Sequence, residues 1–126
     1  MNKPSISVLI SSYNYQDYVV EAVQSALSQT YPPLEVIVVD DGSQDESVAR
    51  LTQAFDKHPK VSVFTQPNSG QMAAWITGCA KANGDVVALL DSDDLWNSNY
   101  LEKMAAIYEA NSSFDYVYCN MQKFGA

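Results

Sequence analysis

Three carboxylates stand close together in the chain, directly after a run of five apolar residues. The apolar run is Val86–Leu90, and Asp91, Asp93 and Asp94 follow it within four positions. Because like charges repel, a fold that keeps these acids together needs a reason to do so. The commonest reason is a hard divalent cation, Mg²⁺ or Mn²⁺, usually carried with substrate phosphates. Capping of the following turn would explain one acid, Asp94, but not Asp91 and Asp93, which a metal or another ligand would explain.

A second acidic segment, Asp40-Asp41-Gly42-Ser43, follows the apolar run Leu34–Val39. An acid at a strand end can accept hydrogen bonds from the N–H or hydroxyl groups of a ligand. The glycine allows a sharp backbone turn beside that ligand. Asp40 or Asp41 can equally cap the next helix, and this segment alone leaves the two interpretations open. A third polar segment, Ser11 to Asn14, offers hydroxyls and the aromatic face of Tyr13.

Apolar runs and helical periodicity alternate along the whole chain, which predicts the elements that position these segments. The predicted strands are Ile6–Ile10, Leu34–Val39, Val61–Thr65, Val86–Leu90 and Tyr116–Cys119. The predicted helices run from Tyr18 to Gln29 with Asp17 as N-cap, from a capping box at Ser43 to His58, from Gln71 to Ala82, and from Asn99 to Glu109.

This alternation predicts one α/β domain over residues 1–126, with a mostly parallel sheet, right-handed crossovers and helices on both faces. The continuous apolar run Val86–Leu90 predicts a strand that is buried on both faces. In such sheets ligands bind beyond the carboxyl ends of the strands. Since all three polar segments follow predicted strands, we expect them to meet in a single crevice.

The composition excludes several functions. The chain has 126 residues with 15 acids against 7 bases, a net charge of −8. Nucleic-acid backbones need a basic surface, so we expect no nucleic-acid partner. No apolar run approaches the roughly 20 residues that span a bilayer. A single histidine, His58, makes a Ser-His-Asp site improbable.

Three segments together resemble the family 2 glycosyltransferases of the GT-A fold. They are Ser7–Asn14, Val38–Ser43 and Leu90–Asp94, and Asn68–Gln71 and Ala82–Asp85 are similar to the segment between them. The resemblance covers nearly the whole chain. It implies a Rossmann-like, three-layer α/β/α sandwich and the nucleotide-sugar-binding part of a transferase, with its C-terminal half outside this chain.

The resemblance also implies roles for individual residues. Ser11 and Tyr13 would flank the nucleobase, and Asp41 would read it, with uracil the usual base. Asp91 would face the sugar nucleotide. Asp93 would hold the divalent metal, Mn²⁺ or Mg²⁺, with Asp94 as its rival in a DXD motif. The catalytic base and the acceptor site are expected in the C-terminal half, so none is assigned.

The implied activity is inverting, metal-dependent transfer from an NDP-sugar, with a UDP-sugar favoured. The acceptor would be a hydroxyl of a saccharide or a lipid-linked saccharide, as in polysaccharide synthesis, and this chain alone is expected to be inactive. A cytoplasmic location is expected, at the inner face of the membrane if other regions attach the protein there. Apolar surface that a missing half would cover predicts a homodimer or aggregation of this chain.

Two other classes of function remain open from the sequence. The first is a non-catalytic nucleotide-binding or interaction module derived from a transferase. It is favoured by the absent half and by Trp75-Ile76, where the family often has an Arg-Asn or Leu-Asn pair. The second is a receiver-like signalling domain, which would need a lysine such as Lys123 at the end of a later strand.

Overall fold

The computed structural model describes residues 3–111 and Ser113. Its strands are β1 (Ile6–Ser12), β2 (Glu35–Asp40), β3 (Val61–Thr65) and β4 (Val86–Asp91), and its helices are α1 (Val19–Leu27), α2 (Ser47–Phe55), α3 (Gln71–Lys81) and α4 (Tyr100–Ala110). All four strands lie where the apolar runs predict them. The fifth predicted strand, Tyr116–Cys119, lies outside the described residues. In the part of the chain that the structure describes, no helix has both the length and the apolar character needed to cross a membrane.

The four strands form one parallel sheet in the order β3-β2-β1-β4. In this register Ser11 of β1 lies between Val39 of β2 and Asp91 of β4. Parallel strands end at the same edge, so the residues that follow β1, β2 and β4 are brought side by side. This sheet edge carries the site described below.

Helices cover both faces of the sheet, which confirms the three-layer α/β/α architecture. Alternate residues of β1 point to opposite faces. Val8 and Ile10 pack with α1, α2 and α4, whereas Leu9 packs with Ala74 of α3 on the other face. The alternation of strands and helices along the sequence predicted helices on both faces.

The prediction that β4 is buried on both faces is wrong. Leu90 is 3% exposed, but Leu89 is 47% exposed and Val86 to Ala88 are half-buried. β4 is partly exposed because it is an edge strand of the described sheet, and because α3 packs over β1 and β2 rather than over β4. Two further apolar side chains, Met72 and Ile76, are exposed on α3.

Two predicted helix starts are also wrong. Asp17 does not cap α1, because its carboxylate pairs with Arg50 at 3.0 Å. The capping box at Ser43 does not form, and α2 begins at Ser47. Ser43 instead donates its N–H and its hydroxyl to Asp40, at 2.8 and 2.5 Å. Local spacing predicted these caps, but Asp17 pairs with a residue of α2 and Ser43 binds the end of β2 instead.

We expect Gly78→Ala to destabilise the fold without touching the sheet edge that carries the site. A methyl group on Gly78 would lie 2.1 Å from a terminal carbon of Leu9. Leu9 is a residue of β1 and is fully buried beneath α3. Overpacking of this kind costs about 1–3 kcal/mol. Chemical denaturation should show that loss for Gly78→Ala and almost none for the exposed Ala80→Ser. Equal stability of the two variants would contradict the close packing of α3 on β1.

Candidate functional site

A cleft of about 460 Å³ opens at the carboxyl edge of the sheet. Among the residues predicted from sequence, Ser11, Tyr13, Asp41, Asp91 and Asp93 all line it. Asp94 is not part of the lining, but its carboxylate belongs to the same acidic group as Asp91 and Asp93. The structure therefore brings all six residues together at the place where the three strand ends meet.

The acidic group is built by a tight turn at the end of β4. The backbone N–H of Asp94 donates to the carbonyl of Asp91 at 3.0 Å, which folds the segment back on itself. As a result, one carboxylate oxygen from each of Asp91, Asp93 and Asp94 lies within 4.8 Å of the others. Within residues 3–111, none of these carboxylates forms an ion pair with a lysine or arginine.

The electrostatics of this turn fit a cation. Burial raises the pKa of Asp94 above its usual value, and the negative charges of Asp93 and Asp91 raise it further. In the described residues no lysine or arginine pairs with these three carboxylates to offset their mutual repulsion. Three carboxylate oxygens at this spacing are the hard ligands that Mg²⁺ and Mn²⁺ prefer. The residues present therefore fit a divalent metal.

Asp41 is only 4% exposed and anchors the loop between β3 and α3. One of its oxygens accepts the side-chain amide of Gln66 and the N–H of Ser69, each at 2.9 Å. The other accepts the N–H of Gly70 at 2.8 Å and the Asn68 amide at 3.3 Å. Burial raises the pKa of Asp41, but these donors outweigh it, so that the pKa lies below its usual value.

The four donors fill the acceptor positions of the Asp41 carboxylate. Sequence reasoning missed this arrangement, because the donors lie 25 to 29 residues away in the chain. A ligand N–H could reach this carboxylate only by replacing one of them. The contact to Asn68 is the longest of the four and the easiest to replace.

Asn14 joins the loops that follow β1 and β2. It adopts a left-handed backbone conformation with φ 57°, which asparagine tolerates better than most residues. Its N–H donates to the Ser43 hydroxyl at 2.9 Å, and its side-chain oxygen accepts the N–H of Gln44 at 2.8 Å. This pair of bonds holds Tyr13, which is 43% exposed, at the rim of the cleft.

The cleft also contains residues for which the sequence analysis predicted no role. Tyr15, Asn68, Gly70 and Gln71 line it beside the predicted residues. The amide of Gln71 lies 3.4 Å from an oxygen of Asp91, so the start of α3 reaches the acidic turn. The similarity of Asn68–Gln71 to the family's intervening segment was the one sequence signal that could have indicated three of them.

The family model for glycosyl transferase family 2 matches residues 7–125 of the chain. The chain belongs to this family. All three polar segments at the sheet edge fall inside the matched range. Membership shows that the receiver-like interpretation is wrong; the lysine that it required, Lys123, lies outside the described residues.

Curated family 2 relatives include an uncharacterized glycosyltransferase of Nostoc sp. It is 41% identical over 107 residues, which are 84% of this chain and 33% of the relative. The chondroitin synthase of Escherichia coli is 34% identical over 122 residues, 89% of this chain and 18% of that enzyme. The chain thus spans a third or less of the length of these two relatives.

Solved structures of similar fold include TarS of S. aureus, residues 1–349, in complex with UDP. The match has a TM-score of 0.76 at 28% identity, covering 86% of this chain and 33% of that TarS chain. The mannosyltransferase PcManGT of Pyrobaculum calidifontis, in complex with GDP-Man and Mn²⁺, gives a TM-score of 0.73 at 26% identity, covering 83% and 31%. The fold of this chain is therefore that of the N-terminal part of GT-A glycosyltransferases.

Proposed function

We propose that this chain is the donor-binding part of an inverting, metal-dependent glycosyltransferase that uses an NDP-sugar, with a UDP-sugar favoured. The observation that carries the proposal is the convergence of Tyr13, Asp41 and the acidic turn Asp91–Asp94 in one cleft. The aromatic face of Tyr13 and the buried acceptor Asp41 suit a nucleobase, and the acidic turn suits the ribose and a metal-bound diphosphate.

In this proposal the nucleobase lies against the ring of Tyr13, beside Ser11. The N–H of the base replaces the Asn68 amide at the Asp41 carboxylate, since that contact is the longest of the four. Asp91 accepts hydrogen bonds from the ribose, and its 3.4 Å contact with Gln71 keeps its carboxylate oriented in the cleft.

Asp93 and Asp94 would hold the divalent metal at the acidic turn. When bound, a metal at this position stabilises the negative charge that develops on the diphosphate as the sugar leaves. Their side chains orient the diphosphate end of the donor toward the open side of the cleft.

Several observations support this choice of donor. TarS has been solved with UDP and with UDP-GlcNAc, and PcManGT with GDP-Man and Mn²⁺. The ring of Tyr13 and the carboxylate of Asp41 suit uracil, which can stack on an aromatic ring and has a ring N–H to donate to a carboxylate. Transfer to a saccharide or a lipid-linked saccharide, in the synthesis of a polysaccharide, is part of the same proposal.

The catalytic base is assigned to the remainder of a longer protein. The chain covers a third of the relative of Nostoc sp., so most of such a protein lies beyond the matched part. This chain would then bind the donor without transferring the sugar. Its homodimerisation and its location in the cytoplasm, at the inner face of the membrane, stay predictions from the sequence.

Calorimetric titration with UDP, GDP and ADP, each with and without Mn²⁺, tests the proposal. We expect UDP to bind and Mn²⁺ to strengthen its binding at least tenfold, because the acidic turn repels a bare diphosphate. GDP and ADP should bind more weakly, since the proposal places the ring N–H of uracil at the Asp41 carboxylate. Absence of binding for all three nucleotides would contradict the assignment of the cleft as a donor site.

A further inference from the structure

The segment between the acidic turn and α4 is held against α1 by the side chain of Gln29. This glutamine is 5% exposed and lies just beyond the end of α1. Its amide nitrogen donates to the carbonyl of Asn97 at 2.7 Å and to that of Ser25 at 3.0 Å. Its oxygen accepts the N–H of Leu101 at 2.9 Å. Both amide N–H groups and the oxygen are therefore used.

The bond to Leu101 replaces a missing helix cap. Asn99 occupies the N-cap position of α4 but makes no side-chain capping bond. Leu101 is fully buried, so its N–H would be costly to leave unpaired. Gln29 supplies the acceptor from 72 residues away. The start of α4 thus depends on a side chain from the other end of the chain.

Two further contacts tie the same segment to α1. The N–H of Thr30 donates to the carbonyl of Ser98 at 2.8 Å, and the N–H of Trp96 donates to the Ser25 hydroxyl at 3.3 Å. Trp96 also stacks on Tyr100, with ring centroids 4.7 Å apart. The connection from the acidic turn to α4 is therefore attached along most of its length.

We propose that Gln29 is a positioning residue for the three carboxylates of the acidic turn. It lies outside the cleft lining and acts through Asn97 and Leu101, which fix where the chain leaves the turn. Without this attachment, mutual repulsion would spread the carboxylates apart. Because the turn is already ordered before the metal binds, metal binding does not have to offset the entropy lost in ordering the turn. This inference rests on the proposed function only in that it assumes a cation at these acids.

The test compares Mn²⁺ binding by the unaltered chain, Gln29→Met and the control Gln24→Leu. Methionine keeps the volume of Gln29 but makes none of its three bonds, whereas Gln24 is an exposed glutamine within α1. The chain is titrated with Mn²⁺ in the absence of nucleotide. Electron paramagnetic resonance measures the concentration of free Mn²⁺ at each step, which gives the affinity of the chain for Mn²⁺. We expect about a tenfold loss in Gln29→Met and no change in Gln24→Leu.

Hydrogen exchange separates positioning from general destabilisation. We expect the amides of Trp96 and Leu101 to exchange faster in Gln29→Met, while those of β1 keep their protection. Equal acceleration in β1, with Mn²⁺ affinity per folded molecule unchanged, would assign Gln29 a purely structural role and overturn the proposal. If the unaltered chain binds no Mn²⁺, the metal of the proposed function and this inference both fail. If the unaltered chain binds Mn²⁺ and Gln29→Met binds it with the same affinity, this inference alone is overturned.

A milder variant, Ser25→Ala, tests the proposal if Gln29→Met does not fold. Ser25→Ala removes only the 3.3 Å contact to the N–H of Trp96 and a local bond within α1. We expect a loss of Mn²⁺ affinity of about threefold, because a single weak hydrogen bond is removed. An unchanged affinity in Ser25→Ala would show that the attachment of this segment to α1 does not position the carboxylates, and it would overturn the proposal.

Discussion

Replacing Asp93 by alanine is expected to abolish the Mn²⁺-dependent part of UDP binding and to leave the fold intact. Asp93 is exposed, and within the described residues its carboxylate accepts no hydrogen bond, so little in the folded protein depends on it. Its removal also relieves repulsion on Asp94, whose pKa is raised by burial and then by Asp93. We therefore expect a change in unfolding free energy within about 0.5 kcal/mol.

The measurement is calorimetric titration of Asp93→Ala with UDP, with and without Mn²⁺, together with thermal unfolding. Asp56→Ala, which removes an exposed acid beyond the end of α2, is the matched control and should bind UDP and Mn²⁺ as the unaltered chain does. If Asp93→Ala keeps its metal-dependent binding, Asp93 is not the ligand. Asp94→Asn would then decide whether its neighbour takes that role.

Replacing Asp41 by asparagine is expected to weaken UDP binding with and without metal and to lower stability in a pH-dependent way. Asparagine places an NH₂ group against two of the four donors that Asp41 accepts, so at least one buried donor loses its partner. An unsatisfied buried donor costs about 1–3 kcal/mol. The loop from Gln66 to Gly70 should then lose its fixed position beside the cleft.

The pH dependence follows from the direction of the pKa shift. Burial raises the pKa of Asp41, but its hydrogen bonds bring it below the ordinary value of 3.8. A carboxylate with a lowered pKa in the folded state stabilises the protein above its unfolded pKa, and this stabilisation is lost as pH falls through the folded value. The stability difference between the unaltered chain and Asp41→Asn should be largest near pH 7 and shrink below about pH 4.

Denaturant unfolding between pH 3 and pH 7 measures this difference. Asp56→Asn, at an exposed acid just beyond α2, serves as the control for the loss of one carboxylate. A stability gap for Asp41→Asn that does not narrow on acidification would contradict an ionised Asp41 as the anchor of the loop. Unchanged UDP affinity would separate this anchoring role from base recognition.

Much of this fold follows from short-range patterns. The runs Ile6–Ile10, Leu34–Val39, Val61–Thr65 and Val86–Leu90 all form strands within a residue or two of their predicted ends. Apolar runs of this length can be buried in few ways, and their alternation with helices requires parallel pairing. The meeting of Ser11, Asp41 and Asp91 at one edge follows from that pairing alone.

Local patterns failed where a residue has a better partner elsewhere. Asp17 and Ser43 have the correct spacing for helix caps, but they bind Arg50 and Asp40. The exposure of Leu89 is a similar case, because an apolar run does not specify whether its strand is central or at an edge. The position of β4 in the sheet and the Asp17–Arg50 pair depend on elements distant in the chain, whereas the Ser43–Asp40 bonds are local and compete with the capping box.

The sequence by itself therefore determined the class of fold, the family and the set of acids at the end of β4. Only the tertiary structure decided how those residues are held. Asp41 accepts donors from 25 to 29 residues away, and Gln29 binds Asn97 and Leu101 across 68 and 72 residues. Hydrogen-bond partners so distant in the chain have no spacing rule, because they are brought together by the order of strands and the packing of helices.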